Sequence, residues 1–236
     1  MKIKFIIPNL ITGASLISGL AALHYTFESE FYIAAWLIAL SMVCDGLDGK
    51  VARLLKAQSQ FGAQFDTLSD FVAFGVVPGF LVYKAVLFQF NIIGAIMAIF
   101  YVFSGGYRLV RFSLKNHLSN TKEPFIGLPI PAAAGMISSF IIFNFYTWNK
   151  INYPDIFMII TFISSFLMIS KIEYLPLEKG KKLTKESKFF ITLAFVSMIA
   201  AVKYSYFIFG LWIMLYILYG IIRQGIIFYK KINRKI

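Results

Sequence analysis

Between Asp45 and Asp70 the chain reads DGLDGKVAR, then eight residues, then GAQFDTLSD, and this stretch holds four of the protein's 11 acidic residues: Asp45, Asp48, Asp66 and Asp70. At 100° per residue, Asp45, Asp48, Gly49, Ala52 and Arg53 fall within an arc of about 140° on one helix face. Gly62, Asp66 and Asp70 form a second stripe in which each step is i to i+4. Four carboxylates gathered by two such faces repel one another strongly in a low-dielectric setting. They need more positive charge than Arg53 supplies, and a divalent metal is the natural answer. Oxygen ligands favour Mg2+ or Mn2+ over zinc, and such ions usually act on phosphates. A pair of ions can neutralise a diphosphate and stabilise the leaving phosphate of an in-line displacement. Gly49 and Gly62 remove side chains where a nucleotide or a neighbouring helix must come close.

The elements that must hold these residues are membrane spans. Of 236 residues, 59% are hydrophobic and only 14% charged, whereas soluble domains average about 45–50% apolar and about 25% charged residues. Carboxylates at membrane depth are costly and are read as functional. Taking about 20 apolar residues per span, eight segments emerge: 7–27, 31–54, 66–88, 91–112, 128–148, 154–170, 188–203 and 206–229. The expected fold is all-α, a polytopic bundle forming one transmembrane domain over 1–236, with the acidic signature at 45–70. Met1 to Phe27 has no small-residue cleavage site and runs straight into further spans, so it reads as a span rather than a signal peptide. The single cysteine, Cys44, allows no disulfide framework and reads as a small packing residue.

Orientation follows from the basic residues, which accumulate on the cytoplasmic side. With both termini inside, all of the 23 Lys and Arg residues except Lys84, Lys150 and Lys203 fall at cytoplasmic segments or helix ends. The formal charge of +12 therefore belongs to the membrane surface and not to nucleic acid. The loop Lys171–Lys188 reads as a solvated linker and the tail Lys230–Lys235 as a topology anchor. If span two enters at Phe31, Asp45 lies roughly 21 Å along it and Arg53 roughly 33 Å. The acidic faces then meet at the cytoplasmic edge, around a cavity open to the cytosol.

Asp45, Asp48, Gly49, Ala52, Arg53, Gly62, Asp66 and Asp70 match in type and spacing the signature of the CDP-alcohol phosphotransferases, and the chain resembles that family. The resemblance implies a membrane-embedded transferase that moves a phosphatidyl-type group from a CDP-linked donor to a hydroxyl and releases CMP. It also implies that Asp45, Asp48 and Asp66 bind metal, that Asp70 joins the cluster and acts as general base, and that Gly49, Ala52, Arg53 and Gly62 line the nucleotide and diphosphate pocket. Homodimerisation is common in the family, and the apolar surfaces of spans three and four suit it.

Outside this core, Pro8–Thr12 reads PNLIT, Arg108 and Arg111 stand together in RLVRF, and Phe125–Ala134 reads FIGLPIPAAA. Over roughly residues 7–175 these features look like the bacterial and archaeal branch of the family that uses CDP-diacylglycerol and L-serine in the cytoplasmic membrane. Arg108 and Arg111, i and i+3, suit a carboxylate or a lipid phosphate held by a bidentate contact, or serve as topology anchors. Asn9 and Thr12 face the nucleotide or cap a helix. Pro129 and Pro131 set a helix entrance beside the pocket or punctuate a loop. His24 lies near the outer face, away from the acidic site. Two other readings stand beside this one: a sister transferase using glycerol 3-phosphate, inositol phosphate or another alcohol, and a transporter whose acidic cluster binds a translocated cation. A transporter would typically show paired repeats or interrupted helices with charges near the midplane, and none is evident.

Overall fold

Away from water a chain satisfies its backbone only by helices or closed barrels, and the long apolar stretches here are helices. The computed structural model describes residues 3–118, 125–174, 210–222 and 225. In chain order the helices are α1 (Ile3–Phe27), α2 (Phe31–Leu54), α3 (Gln60–Asp70), α4 (Val77–Ala85), α5 (Asn91–Leu118), α6 (Ile130–Trp148), α7 (Pro154–Ile169) and α8 (Gly210–Ile222). The only strand structure among the described residues is an antiparallel ladder of two residues on each side, Phe125–Ile126 against Glu173–Tyr174.

Five stretches among the described residues are long and apolar enough to cross a membrane: Lys4–Phe27, Phe31–Leu54, Gln60–Ala85, Leu87–Leu114 and Ile130–Trp148. The expected segment 154–170 is α7, with 16 residues. At 1.5 Å per residue α7 covers about 24 Å, short of a hydrocarbon core of about 30 Å. Of 206–229, α8 is described. The expected span 188–203, nearly all of the Lys171–Lys188 loop and the Lys230–Lys235 tail lie outside the described residues.

One boundary is corrected. The third span begins at Gln60 rather than at 66, because Ser59 takes extended backbone angles and its hydroxyl accepts the Gly62 N–H at 3.0 Å, an N-cap that starts the helix early. The turn from α2 is correspondingly short. Lys56 adopts a positive φ there, and the Ala57 N–H donates to the Ala52 carbonyl at 2.9 Å.

The same span is continuous but not uniform. Residues Phe71–Val76, directly after Asp70, form a π-helical segment that joins α3 to α4. A wider turn of this kind changes the face presented by the residues that follow. Asp70 can thereby face the acidic site while Phe74, Val77 and Leu81 sit fully buried in the core. The segment is braced from two sides. The Tyr101 hydroxyl on α5 donates to the Phe74 carbonyl at 3.0 Å. On α1, a Cβ at Gly19 would lie 2.8 Å from the Ala73 Cβ, so only glycine lets the two backbones approach this closely.

Small polar residues join α1 to α2, as suits helices whose surroundings give apolar packing little preference. The Ser15 and Ser41 hydroxyls lie 2.8 Å apart, and each also donates to the other residue's carbonyl. Ser18 donates to the Leu37 carbonyl at 2.8 Å. At the far end of this pair the Lys84 ammonium donates to the terminal carbonyl of α1 at Phe27, where a cation also complements the helix dipole.

Candidate active site

Three helices build the site around one residue of the first. The turn between α2 and α3 returns the chain so that the last turns of α2, carrying Asp45 and Asp48, face the α3 stripe that carries Asp66 and Asp70. On α1, Thr12 sits between them. Its hydroxyl donates to Asp48 Oδ2 at 2.6 Å and its carbonyl accepts the Ser69 hydroxyl at 3.3 Å. Thr12 and Asp48 are 4% and 5% exposed, so this short charge-assisted bond is largely shielded from water.

The expected convergence is present. Asp45, Asp48 and Asp66 each offer a carboxylate oxygen, and these oxygens lie within 4.8 Å of one another. Asp70 stands beside them, in side-chain hydrogen-bonding contact with Asp45. The donor set fits a hard divalent cation: every ligand is an oxygen, the carboxylates come from two helices held by backbone and cap hydrogen bonds, and Thr12 orients one of them from behind, as outer-shell partners of metal ligands do.

The remaining sequence candidates separate. Asn9 lies against Gly62, where an added Cβ would be 3.0 Å from Asn9 Oδ1 and 3.1 Å from Ser59 Oγ. Gly62 is thus explained by the close approach of α1 and α3. Gly49 is different: it is exposed, and an added Cβ would meet nothing within 4 Å among the described residues, so no packing among them calls for a glycine there. Ala52 is half-buried and Arg53 exposed on the same face. The helix-cap alternative for Asn9 and Thr12 is overturned, because both lie inside α1, well past its first residue.

The two arginines of α5 do different things. Arg111 donates to the carbonyls of Ile126 at 2.8 Å, Ile169 at 3.0 Å and Ser170 at 3.2 Å, which ties the end of α7 to the segment preceding α6. Gly127 completes this junction with φ +83°; an added Cβ would lie 2.4 Å from the Met168 carbonyl oxygen and 2.6 Å from Arg111 Nη2. Arg108, one turn earlier, is only 5% exposed. Its Nε–H has no hydrogen-bond partner among the described residues, and it lies within electrostatic reach of Asp70. Pro129 is the N-cap of α6, and Pro131 lies in the first turn of the same helix. His24 is exposed, edge-on to the Tyr25 ring, and Cys44 is half-buried with a free thiol.

Two neighbours of these residues went unmarked in the sequence. Ser69 stands between acidic positions, and its i+3 spacing from Asp66 is the only signal that it shares part of their helix surface. Tyr216 of α8, within electrostatic reach of Arg108, had no local motif to mark it.

Comparison with known proteins agrees with this arrangement. The family model described as CDP-alcohol phosphatidyltransferase matches residues 5–170. A CDP-diacylglycerol--serine O-phosphatidyltransferase of Helicobacter pylori (strain ATCC 700392 / 26695) is 35% identical over 98% of this chain and 96% of its own length. The protein of the same name from Methanocaldococcus jannaschii is 35% identical over 92% of this chain and 93% of its own. That from Bacillus subtilis (strain 168) is 36% identical over 71% of this chain and 89% of its own. With the aspartates of two adjoining helices converging inside the matched region, the chain belongs to the CDP-alcohol phosphatidyltransferase family.

Proposed function

We propose that this chain is a phosphatidylserine synthase, transferring the phosphatidyl group of CDP-diacylglycerol to the hydroxyl of L-serine with release of CMP. The observation that carries the reading is the cluster of Asp45, Asp48 and Asp66 oxygens within 4.8 Å of one another, with Asp70 beside them. The acceptor rests on the names of relatives that align over nearly the whole chain.

Asp45, Asp48, Asp66 and Asp70 would hold Mg2+ or Mn2+, two ions in the full complex. Bound there, the metal supplies charge neutralisation for a diphosphate and for the departing CMP. The chain's own groups do the rest. Asp70 accepts the proton of the serine hydroxyl as the oxygen–phosphorus bond forms and the bond to CMP breaks; the products are phosphatidylserine, CMP and one proton. Gly49, Ala52 and Arg53 line the nucleotide and diphosphate pocket, and the open space at Gly49 suits a ligand approaching the backbone. Gly62 and Asn9 border the same pocket from α3 and α1, and Thr12 reaches it through Asp48. Arg108 takes the acceptor carboxylate or a lipid phosphate, while the donors of Arg111 hold backbone carbonyls.

In the membrane the chain forms one domain of about eight spans with both termini inside and the site facing the cytosol. The distribution of Lys and Arg supports this. The enzyme acts in the cytoplasmic membrane as a homodimer, for which α5 offers an outward apolar ridge of Ile92, Ile96, Ile99 and Phe103.

The test is CMP release by purified protein in lipid nanodiscs containing CDP-diacylglycerol, with Mg2+ or Mn2+ and either L-serine, glycerol 3-phosphate or inositol phosphate. Serine-dependent CMP release accompanied by phosphatidylserine is expected. Turnover with another acceptor and none with serine would sink the acceptor assignment.

A further inference from the structure

Helix α8 lies beyond the stretch that the family model covers, yet it is seated in the core. A Cβ at Gly135 of α6 would lie 2.5 Å from Ile213 Cδ1 and 3.0 Å from Met42 Cε of α2, so α8 rests where α6 and α2 meet. A Cβ at Gly210 would likewise lie 3.4 Å from the Ser139 side chain. Ile213 and Ile217 are almost fully buried and Gly220 is buried. At helical spacing these residues define the inward stripe of α8, and Tyr216 stands within it, packed against the core.

From that stripe Tyr216 lies within electrostatic reach of Arg108, the same side chain that lies within electrostatic reach of Asp70. Arg108 is almost wholly buried, and its Nε–H has no partner among the described residues. A buried N–H in that state carries a desolvation penalty of its own. An anion within the site would relieve it, and a planar carboxylate is the shape the guanidinium fork accepts.

We propose that Tyr216 is a positioning residue of the acceptor subsite: together with Asp70 it brackets Arg108 so that the free Nε–H meets the anionic group of the acceptor alcohol, making α8 a wall of that subsite. This rests on the transferase reading above and adds to it the part of the chain that grips the acceptor. Tyr216 does not touch the reacting atoms; it acts through Arg108.

The experiment is steady-state kinetics of the full chain in nanodiscs, for wild type, Tyr216→Phe, Arg108→Lys and the double variant, varying acceptor and CDP-diacylglycerol separately. The acceptor is whichever of L-serine, glycerol 3-phosphate and inositol phosphate supports wild-type turnover. Phenylalanine keeps the ring and its packing and deletes only the hydroxyl. The acceptor KM of Tyr216→Phe should rise about tenfold, the scale of losing one polar interaction with a charged group. The kcat and the KM for CDP-diacylglycerol should stay within about twofold of wild type, because only acceptor binding is altered. The double variant should be no worse than Arg108→Lys alone, since residues acting through one another are not additive. An unchanged acceptor KM in Tyr216→Phe, equal increases for both substrates, or additive losses in the double variant would overturn this proposal and leave the transferase reading standing. Absence of wild-type turnover with every acceptor would overturn both.

Discussion

Replacing Thr12 by Val keeps the shape of the side chain and removes the one hydroxyl that orients Asp48. The bond it deletes is 2.6 Å long, between residues 4% and 5% exposed, with a carboxylate as acceptor. Hydrogen bonds to charged groups contribute about 1.5–3 kcal/mol, and each 1.4 kcal/mol is about tenfold in an equilibrium constant. Outer-shell partners of metal ligands carry effects of about 10–100-fold on affinity, which agrees with that range. In Thr12→Val the concentration of Mn2+ giving half-maximal CMP release should therefore rise about 10–100-fold, with most of the rate recovered at saturating metal. Thr12→Ser, which restores a hydroxyl, should return the midpoint most of the way. The assay is CMP release across a Mn2+ titration, with thermal unfolding in the same detergent as a folding control. A Thr12→Val protein that is folded and has the wild-type Mn2+ midpoint would refute the claim that Thr12 orients a metal ligand.

Other consequences concern the base and the helix junctions. Asp70→Asn removes the proposed proton acceptor and should lower turnover by at least about 10²-fold while CDP-diacylglycerol binding, measured by retention of radiolabelled lipid, persists; wild-type turnover would exclude Asp70 as the base. Arg111→Lys replaces a fork that reaches several backbone carbonyls with a single ammonium. It should lower the melting temperature by roughly 2–4 °C for each kcal/mol lost, and an unchanged melting temperature would show that the junction does not depend on the guanidinium. Gly127→Ala meets both a positive φ and the Met168 carbonyl at 2.4 Å. The strained backbone alone costs about 1–3 kcal/mol, so this variant should destabilise at least as much as Arg111→Lys, read in the same melting assay.

The acidic stripes were legible because helical spacing alone fixes which side chains share a face: Asp45 with Asp48, and Gly62 with Asp66 and Asp70. The bounds of α2, Phe31–Leu54, followed from where its apolar run begins and ends. The early start of α3 was harder to read, since the signal is a single capping serine in a polar stretch and hydropathy averages over it. The π segment Phe71–Val76 left no trace in composition, because its apolar residues would suit an α-helix equally. Long-range roles were the least legible. PNLIT drew attention to Thr12, but nothing in it points to Asp48, a residue 36 positions away. Arg108 and Arg111 look equivalent in RLVRF. Their separation into a buried cation beside Asp70 and a clamp on helix-end carbonyls depends on the Ile126–Gly127 and Met168–Ser170 backbone, which packing alone brings to α5.

Manganese binding, followed by electron paramagnetic resonance of the purified protein in nanodiscs, bears most directly on the claim that aspartates from α2 and α3 form one divalent-metal site. Wild type should bind Mn2+ saturably, and Asp45→Asn, from α2, and Asp66→Asn, from α3, should each weaken that binding at least about tenfold. Wild-type Mn2+ affinity in both variants would contradict a shared site.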